Sequence, residues 1–205
     1  MKKSMMIMLL ATSSATQLSH AALVEVDSGF GLNSGTLDTD TNLEWLDWTQ
    51  TADISFNDMV PQLLAGGTYD GWRYATAAEV DTLYFSSAGI NPLAPIETRA
   101  AQILSLQGLL GQTSSSGTLG EGGFAGSSSY GMFGDAFGLG RAMTELVVRT
   151  QDGPYSLALA TPVAGSISDS FATTGTGHIL VREVPTPGAL ALLGLGGIMT
   201  TRRRR

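Results

Sequence analysis

The chain has 205 residues, 43% of them hydrophobic and 14% charged, with a formal net charge of −7, 26 glycines and no cysteine. The absence of cysteine excludes disulfides, thiol catalysis, Cys-ligated zinc and iron–sulfur clusters. All 18 acidic residues but only five of the 11 basic ones lie between residues 22 and 187, so this central part carries −13. Such a balance argues against nucleic acid and anionic polysaccharide as partners.

The first residues read as a leader. Lys2 and Lys3 form a positive n-region, Met5 to Ala11 a short apolar segment, and Ser19-His20-Ala21 places small residues at the two positions that govern cleavage. This is the layout of a secretory signal peptide over residues 1–21, read by the Sec machinery and signal peptidase, with Ala22 as the mature N-terminus. His20 leaves with the leader, so His178 is the one histidine of the mature chain. The remaining residues, about 166 up to Pro187, suffice for one domain with its own core.

Residues 22–26 predict a strand and 29–35 a loop. Asp38, Asp40 and Asn42 alternate like the opening of a calcium loop, but the sixth position is Leu43 where glycine is needed and the twelfth is Thr49 where glutamate is needed. The expectation is a polar turn, no cofactor, and a strand in which Leu43, Trp45 and Leu46 face the core; calcium is the one ion the pattern brings to mind. Residues 55–65 predict a helix capped by Ser55 and Asp58, with Pro61 favouring a start nearer Asn57 and Gly66-Gly67 ending it. Thr76 and Glu79 then form a capping box for a helix running to about Phe85.

The stretch Gly71-Trp72-Arg73-Tyr74-Ala75-Thr76-Ala77-Ala78-Glu79-Val80, after Leu43-Glu44-Trp45 and a helix ending in Gly-Gly, resembles a group of bacterial secreted domains marked by a Trp-Arg-Leu-Pro-Thr-x-x-Glu-Leu motif. Trp72, Arg73, Thr76 and Glu79 match, whereas Tyr74, Ala75 and Val80 depart from the pattern. The resemblance covers residues 43 to about 85 and, more weakly, 177–184. It implies a C-type-lectin-like fold and says almost nothing of activity. The calcium- and sugar-binding motifs of true C-type lectins, Glu-Pro-Asn and Trp-Asn-Asp, are absent. Trp72 and Arg73 read either as a sugar-binding pair or as structural residues, with Trp72 packed under the Thr76 helix and Arg73 bonded to a carboxylate or to loop carbonyls.

Residues 98–110 predict an apolar helix with Thr98 as N-cap. Residues 111–140, dominated by glycine and serine with Phe124, Tyr130, Phe133 and Phe137 interspersed, predict a long, partly mobile loop anchored by its aromatics. In a lectin-like module Phe124 and Tyr130 would join Trp72 and Arg73 as the ligand surface. Residues 144–150 and 155–160 alternate as a hairpin around Gln151-Asp152-Gly153-Pro154, and residues 177–184 supply a last strand opened by His178. As a lone histidine, His178 reads as structural or exposed rather than catalytic. No nucleophile elbow, phosphate-binding loop or catalytic triad is evident.

The C-terminus has three parts. Val184-Pro185-Thr186-Pro187 stops regular structure. Residues 188–201 are uncharged and apolar or small, and Arg202, Arg203, Arg204 and Arg205 close the chain. The apolar run is shorter than the roughly 20 residues of a full span. Thr200, Thr201 and snorkelling arginines extend it, and the arginines would resist translocation and hold the C-terminus in the cytoplasm. A buried core helix and an RNA-binding arm are the competing readings, and the acidic domain disfavours the second. This order resembles the PEP-CTERM sorting signal, with Thr186 where that family has its name-giving glutamate. The resemblance implies an exosortase, a membrane cysteine transpeptidase, cutting near Val184–Pro187 after a membrane intermediate, and delivery to the cell surface or extracellular polysaccharide matrix of a Gram-negative-type bacterium.

The sequence therefore predicts one α+β domain over residues 22–183, with two or three helices and an antiparallel sheet, between a signal peptide and a sorting signal over residues 184–205. The expected role is that of a non-enzymatic exported surface protein. A lectin-like carbohydrate- or peptide-binding module is the alternative, and a hydrolase the third.

Overall fold

The computed structural model describes residues 23–116, 124–151 and 154–185. Residues 1–22 and 186–205, and with them the signal peptide, Thr186, Pro187, the apolar run and Arg202 to Arg205, lie outside the described residues. Strands β1 (Leu23–Val26), β2 (Gly35–Asp38) and β3 (Leu43–Leu46) form an antiparallel meander. A 3₁₀ turn, Trp48–Thr51, leads to helix α1 (Phe56–Gln62), strand β4 (Arg73–Tyr74), helix α2 (Ala77–Asp81) with a π-helical continuation over Thr82–Ser87, and helix α3 (Ile96–Leu110). Strands β5 (Ser114–Ser116), β6 (Phe124–Phe137), β7 (Gly140–Gln151) and β8 (Tyr155–Ile167) follow, and β9 (Gly177–His178) and β10 (Leu180–Glu183) end the described chain.

The strands make two sheets. The first runs β1-β2-β3-β10-β4, antiparallel throughout, and the second β5-β6-β7-β8, with β9 parallel to β6 beyond the end of β5. The molecule is thus α+β, with three α-helices and two antiparallel sheets among the described residues.

Capping explains two of the helices. Ser55 Oγ accepts the Asp58 N–H at 3.2 Å and donates to the Asp58 carboxylate at 2.6 Å, which sets the start of α1 at Phe56. Pro61 sits inside that helix, not near its first position. With only seven residues, the helix loses one main-chain bond to it and ends at Gln62, three residues short of the expected end. The Thr76–Glu79 box is complete, with side chain to main chain in both directions. Helix α3 begins at Ile96 rather than after Thr98, because Pro95 lacks a donor and its carbonyl takes the Arg99 N–H at 3.0 Å, closing the first turn without a side-chain cap.

The main correction concerns residues 111–140. Instead of a long loop, residues 124–137 are the 14-residue strand β6, joined to β7 by the two-residue turn Gly138-Leu139 with Gly138 at φ 62. The small residues are there because neighbours come close. A Cβ on Gly131 would lie 2.5 Å from Ile179, and one on Gly134 3.0 Å from Tyr74. Ser127 donates to Gln107 of α3 at 2.6 Å, and Ser129 to the Gly111 carbonyl at 2.8 Å. At Ser127, Ser129, Gly131 and Gly134 the small residues serve packing.

One core fills the space between α2, α3 and the two sheets, built on Trp45, Trp48, Leu83, Tyr84, Phe133 and Leu146, all at most 1% exposed. A second, smaller cluster joins Leu46, Met59, Tyr69, Trp72 and Leu180. All four residues of β3 are buried, Leu46 into the second cluster. Among the described residues the indole N–H groups of Trp45 and Trp48 have no hydrogen-bond partner, a penalty of about 1–3 kcal/mol each that their large buried rings offset.

Two glycines should respond oppositely to alanine. A Cβ on Gly177 would sit 2.0 Å from the Trp48 carbonyl oxygen, so Gly177→Ala should destabilise by about 2 kcal/mol or more in urea unfolding. Gly108 lies exposed in α3 with nothing within 4 Å of the same position, so Gly108→Ala should stabilise by about 0.5–1 kcal/mol. Equal responses would mean that neither site is packed as described.

Candidate functional site

Three of the residues singled out by sequence meet at one place. Arg73, Val184 and Pro185 line an open hollow of about 700 Å³ together with Thr41, Asn42, Leu43, Glu79 and Glu183. Its floor is the end of the first sheet, where β10 lies between β3 and β4. The Val184 N–H donates to the Asn42 carbonyl at 3.0 Å, one residue beyond the last strand position, and Pro185 stands exposed after it.

Arg73 is not a free receptor in this hollow. Its guanidinium forks onto Glu79 at 2.7 and 3.0 Å, and Nη1 also reaches the Tyr74 carbonyl at 3.1 Å. The Thr76 N–H and hydroxyl hold the same carboxylate at 2.8 and 3.1 Å. The Arg73 hydrogen bond, with smaller help from Thr76, pulls the Glu79 carboxyl down to about 2. One fork therefore fastens β4 to the first turn of α2, and the expectation that Arg73 bonds a carboxylate holds. Glu183, exposed at the rim, leaves the hollow with a negative balance.

Trp72 offers no stacking face. It is 5% exposed and packs in the smaller cluster rather than under the Thr76 helix. Arg182 lies over its ring at 4.5 Å, Phe30 stands at 6.4 Å, and Arg182 is itself forked onto Glu44 at 2.7 and 2.8 Å. Tyr130 is on β6 opposite Glu145, in the second sheet, and Phe124 pairs through its backbone with Gln151 at the far end of the same strand. The four residues expected to share a ligand surface are thus divided between two sheets, and one of them is buried. Their scatter is a correction to that expectation.

The alternating acids at 38–42 form the β2–β3 turn. Asp38 is fully buried; one carboxylate oxygen accepts the Asp40 and Thr41 N–H groups at 3.0 and 3.3 Å, the other the Ser87 hydroxyl at 2.5 Å. Asn42 takes the left-handed conformation at φ 56 that closes the turn. Among the described residues no group of three or more His, Asp or Glu side chains is placed to hold a metal ion.

A second polar cluster was not anticipated in detail. His178 is 1% exposed; its Nε2 lies 2.9 Å from the Ile54 carbonyl and its Nδ1 2.7 Å from the Tyr74 hydroxyl. A carbonyl can only accept, so Nε2 carries the proton and Nδ1 accepts from Tyr74. Burial lowers the histidine's proton affinity, and burial likewise raises that of Tyr74. Tyr74 stacks on Phe56 at 5.4 Å, and Arg141 covers the Phe56 ring at 3.8 Å while paired with Asp169. The arrangement locks one neutral tautomer and ties β9 to α1 and β4. The signals for it were a lone histidine at a strand start and an aromatic two residues after Trp72, neither of which reveals a partner.

Stability should depend on pH through His178. Its folded affinity for protons is lowered, so below about 6.5 the unfolded chain takes up a proton that the folded chain resists. Stability is complete above that value and falls as pH drops through it, by at most about 1.4 kcal/mol per pH unit. Urea midpoints should therefore decline from pH 7.5 to 5.5, and a flat profile in this window would contradict the buried neutral ring. The Glu79 contribution acts lower, present above about 4.5 and lost toward 2; as a half-exposed pair it is worth about 1 kcal/mol or less.

No protein-family model matches the chain, and neither a curated protein nor a solved structure is similar to it.

Proposed function

We propose that the chain is a non-enzymatic exported protein of the cell surface or extracellular matrix, led out by residues 1–21 and sorted through residues 184–205 by an exosortase. The observation that carries this reading is the register of the last strand. β10 is an interior strand of the first sheet, and its hydrogen bonding ends at Val184, the first residue of the Pro motif. The last described strand thus ends where the three-part signal begins, and Pro185 is exposed. A processing enzyme reaching for this motif would meet Val184 and Pro185 beside a hollow of negative balance.

For the domain itself we propose the C-type-lectin-like fold implied by the Trp72 to Val80 motif, supported by the capped α2 helix that follows it and by the terminal strand returning to the first sheet. Among the described residues no helix is long and apolar enough to cross a membrane.

Intact mass and terminal sequencing of the protein from its producing cells provide the test. The expected mature chain starts near Ala22 and ends near Val184 to Pro187. Retention of Arg205 would defeat sorting by cleavage. Deleting Arg202 to Arg205 should release the stop to translocation and abolish surface delivery, read by cell fractionation; unchanged delivery would count against the reading of the tail.

A further inference from the structure

The register of the first sheet puts both ends of the described domain at one rim. Leu23 pairs with Asp38, Asp38 with Leu43 and Leu43 with Glu183, so the start of β1 and the end of β10 lie in one row across four strands. Three strand spacings make that row about 14 Å long. At its Leu23 end opens a groove of about 450 Å³ between β1, the end of the π-helical continuation and α3. Leu23, Ser87, Ala101, Ser105, Leu106 and Leu109 line it, and no charged side chain of the described residues does. Ser87 ties the groove to the row, since its hydroxyl donates to Asp38 at 2.5 Å.

An uncharged groove on so acidic a body suits an apolar occupant. A space of roughly 150 Å³ holds one benzene-sized group, so this groove takes about three apolar side chains. The chain carries such a segment outside the described residues: 188–201 are uncharged, with Leu190, Leu192, Leu193, Leu195, Ile198 and Met199 among them. It begins just past Pro185, which lines the hollow at the other end of the row. Whether extended or helical, a run of this length covers at least about 20 Å, more than the row demands. Arg202 to Arg205 follow, and their +4 faces a balance of −13 over residues 22–187, so long-range attraction favours the tail's return to its own domain. Once the leader is removed before Ala22, no apolar N-terminal segment competes with it.

We propose that this groove seats the chain's own apolar run, residues 188–201, for as long as the run remains attached. Tethering makes even a weak groove effective. A short linker sets an effective concentration in the mM range, so a site of about 0.1 mM affinity is about nine-tenths filled. The seated run is withheld from water and from other copies of the chain. Seating and insertion in a bilayer exclude each other, so the groove is a holding place that membrane or enzyme must empty. The tail's route to the surface rests on the function proposed above; its seat in the groove does not.

The chain has no native cysteine, which makes disulfide mapping the direct test. In the chain from Ala22 to Arg205, Ser105→Cys is combined with replacement of each residue from Ala189 to Met199 in turn by cysteine, and bond formation under mild oxidation is timed on non-reducing gels. A disulfide needs Cα atoms within about 7 Å. A seated run therefore gives a peak, with bonds inside one chain at a few tail positions about tenfold faster than at the rest. Adding Ala101→Trp, which fills the groove from an exposed position of α3, should flatten that peak with the urea midpoint retained. A flat profile, the mark of a tether alone, overturns the proposal. So does a peak that survives Ala101→Trp in a folded protein, or bonding mainly between chains, which would make a second copy the occupant. Terminal sequencing judges sorting separately, so either reading can fail without the other.

Discussion

The structure depends on seven residues near the end of the described chain, Gly177 to Glu183, which join the two sheets. Gly177 and His178 lie parallel to β6, pairing with Gly131 and Met132, and the Ile179 N–H returns to the Met132 carbonyl at 3.0 Å. One residue later the chain has crossed to the other sheet, where the Ile179 carbonyl takes the Ala75 N–H at 2.9 Å and Leu180 to Glu183 separate β3 from β4. Without this segment the first sheet is a three-stranded meander and a two-residue strand with no partner. Its side chains serve both hydrophobic clusters, Ile179 and Val181 the larger and Leu180 the smaller. The alternation of a strand is what allows one short run to do this.

The polar groups of the core follow from that closure. His178 enters with both ring nitrogens in need of partners, and Tyr74 and Ile54 are brought to it from β4 and from the approach to α1. The His178 main-chain N–H donates to the Thr51 hydroxyl at 2.7 Å, and Gly177 is forced to be glycine by the Trp48 carbonyl of the same 3₁₀ turn. Thr51 and Trp48 are thus fixed against residues more than 120 positions away. Such contacts are non-local, so the entropy of closing a long stretch of chain opposes them until they form. A chain without disulfides has no covalent substitute for them.

How legible this was varies with the range of the interaction. The Thr76–Glu79 box, the hairpin of β7 and β8 and the strands at 23–26 and 43–46 follow local pattern, because each has a partner nearby in sequence; the single last strand expected over 177–184 is instead two, β9 in the second sheet and β10 in the first, because the partners of both are distant. Nor does the 14-residue β6 follow local pattern. Its Gly126, Gly131 and Gly134 are small on account of Val148, Ile179 and Tyr74, contacts that span from 22 to 60 positions and leave no periodic trace. Trp72 was misplaced for a related reason. Its buried face is set by Phe30 and Arg182, from opposite ends of the domain, and a motif of ten residues does not contain them. Arg73 was foreseen correctly as a carboxylate's partner because Glu79 lies within the same motif.

The placement of β10 also bears on the proposed sorting. An interior strand cannot leave its sheet without exposing Leu180 and Val181, which are fully buried, and without breaking hydrogen bonds to both β3 and β4. Burial of two such side chains alone is worth about 3–6 kcal/mol. Traction on the tail would therefore be resisted at Glu183 by pairing on both sides, ahead of the residues that the sorting proposal assigns to the processing enzyme.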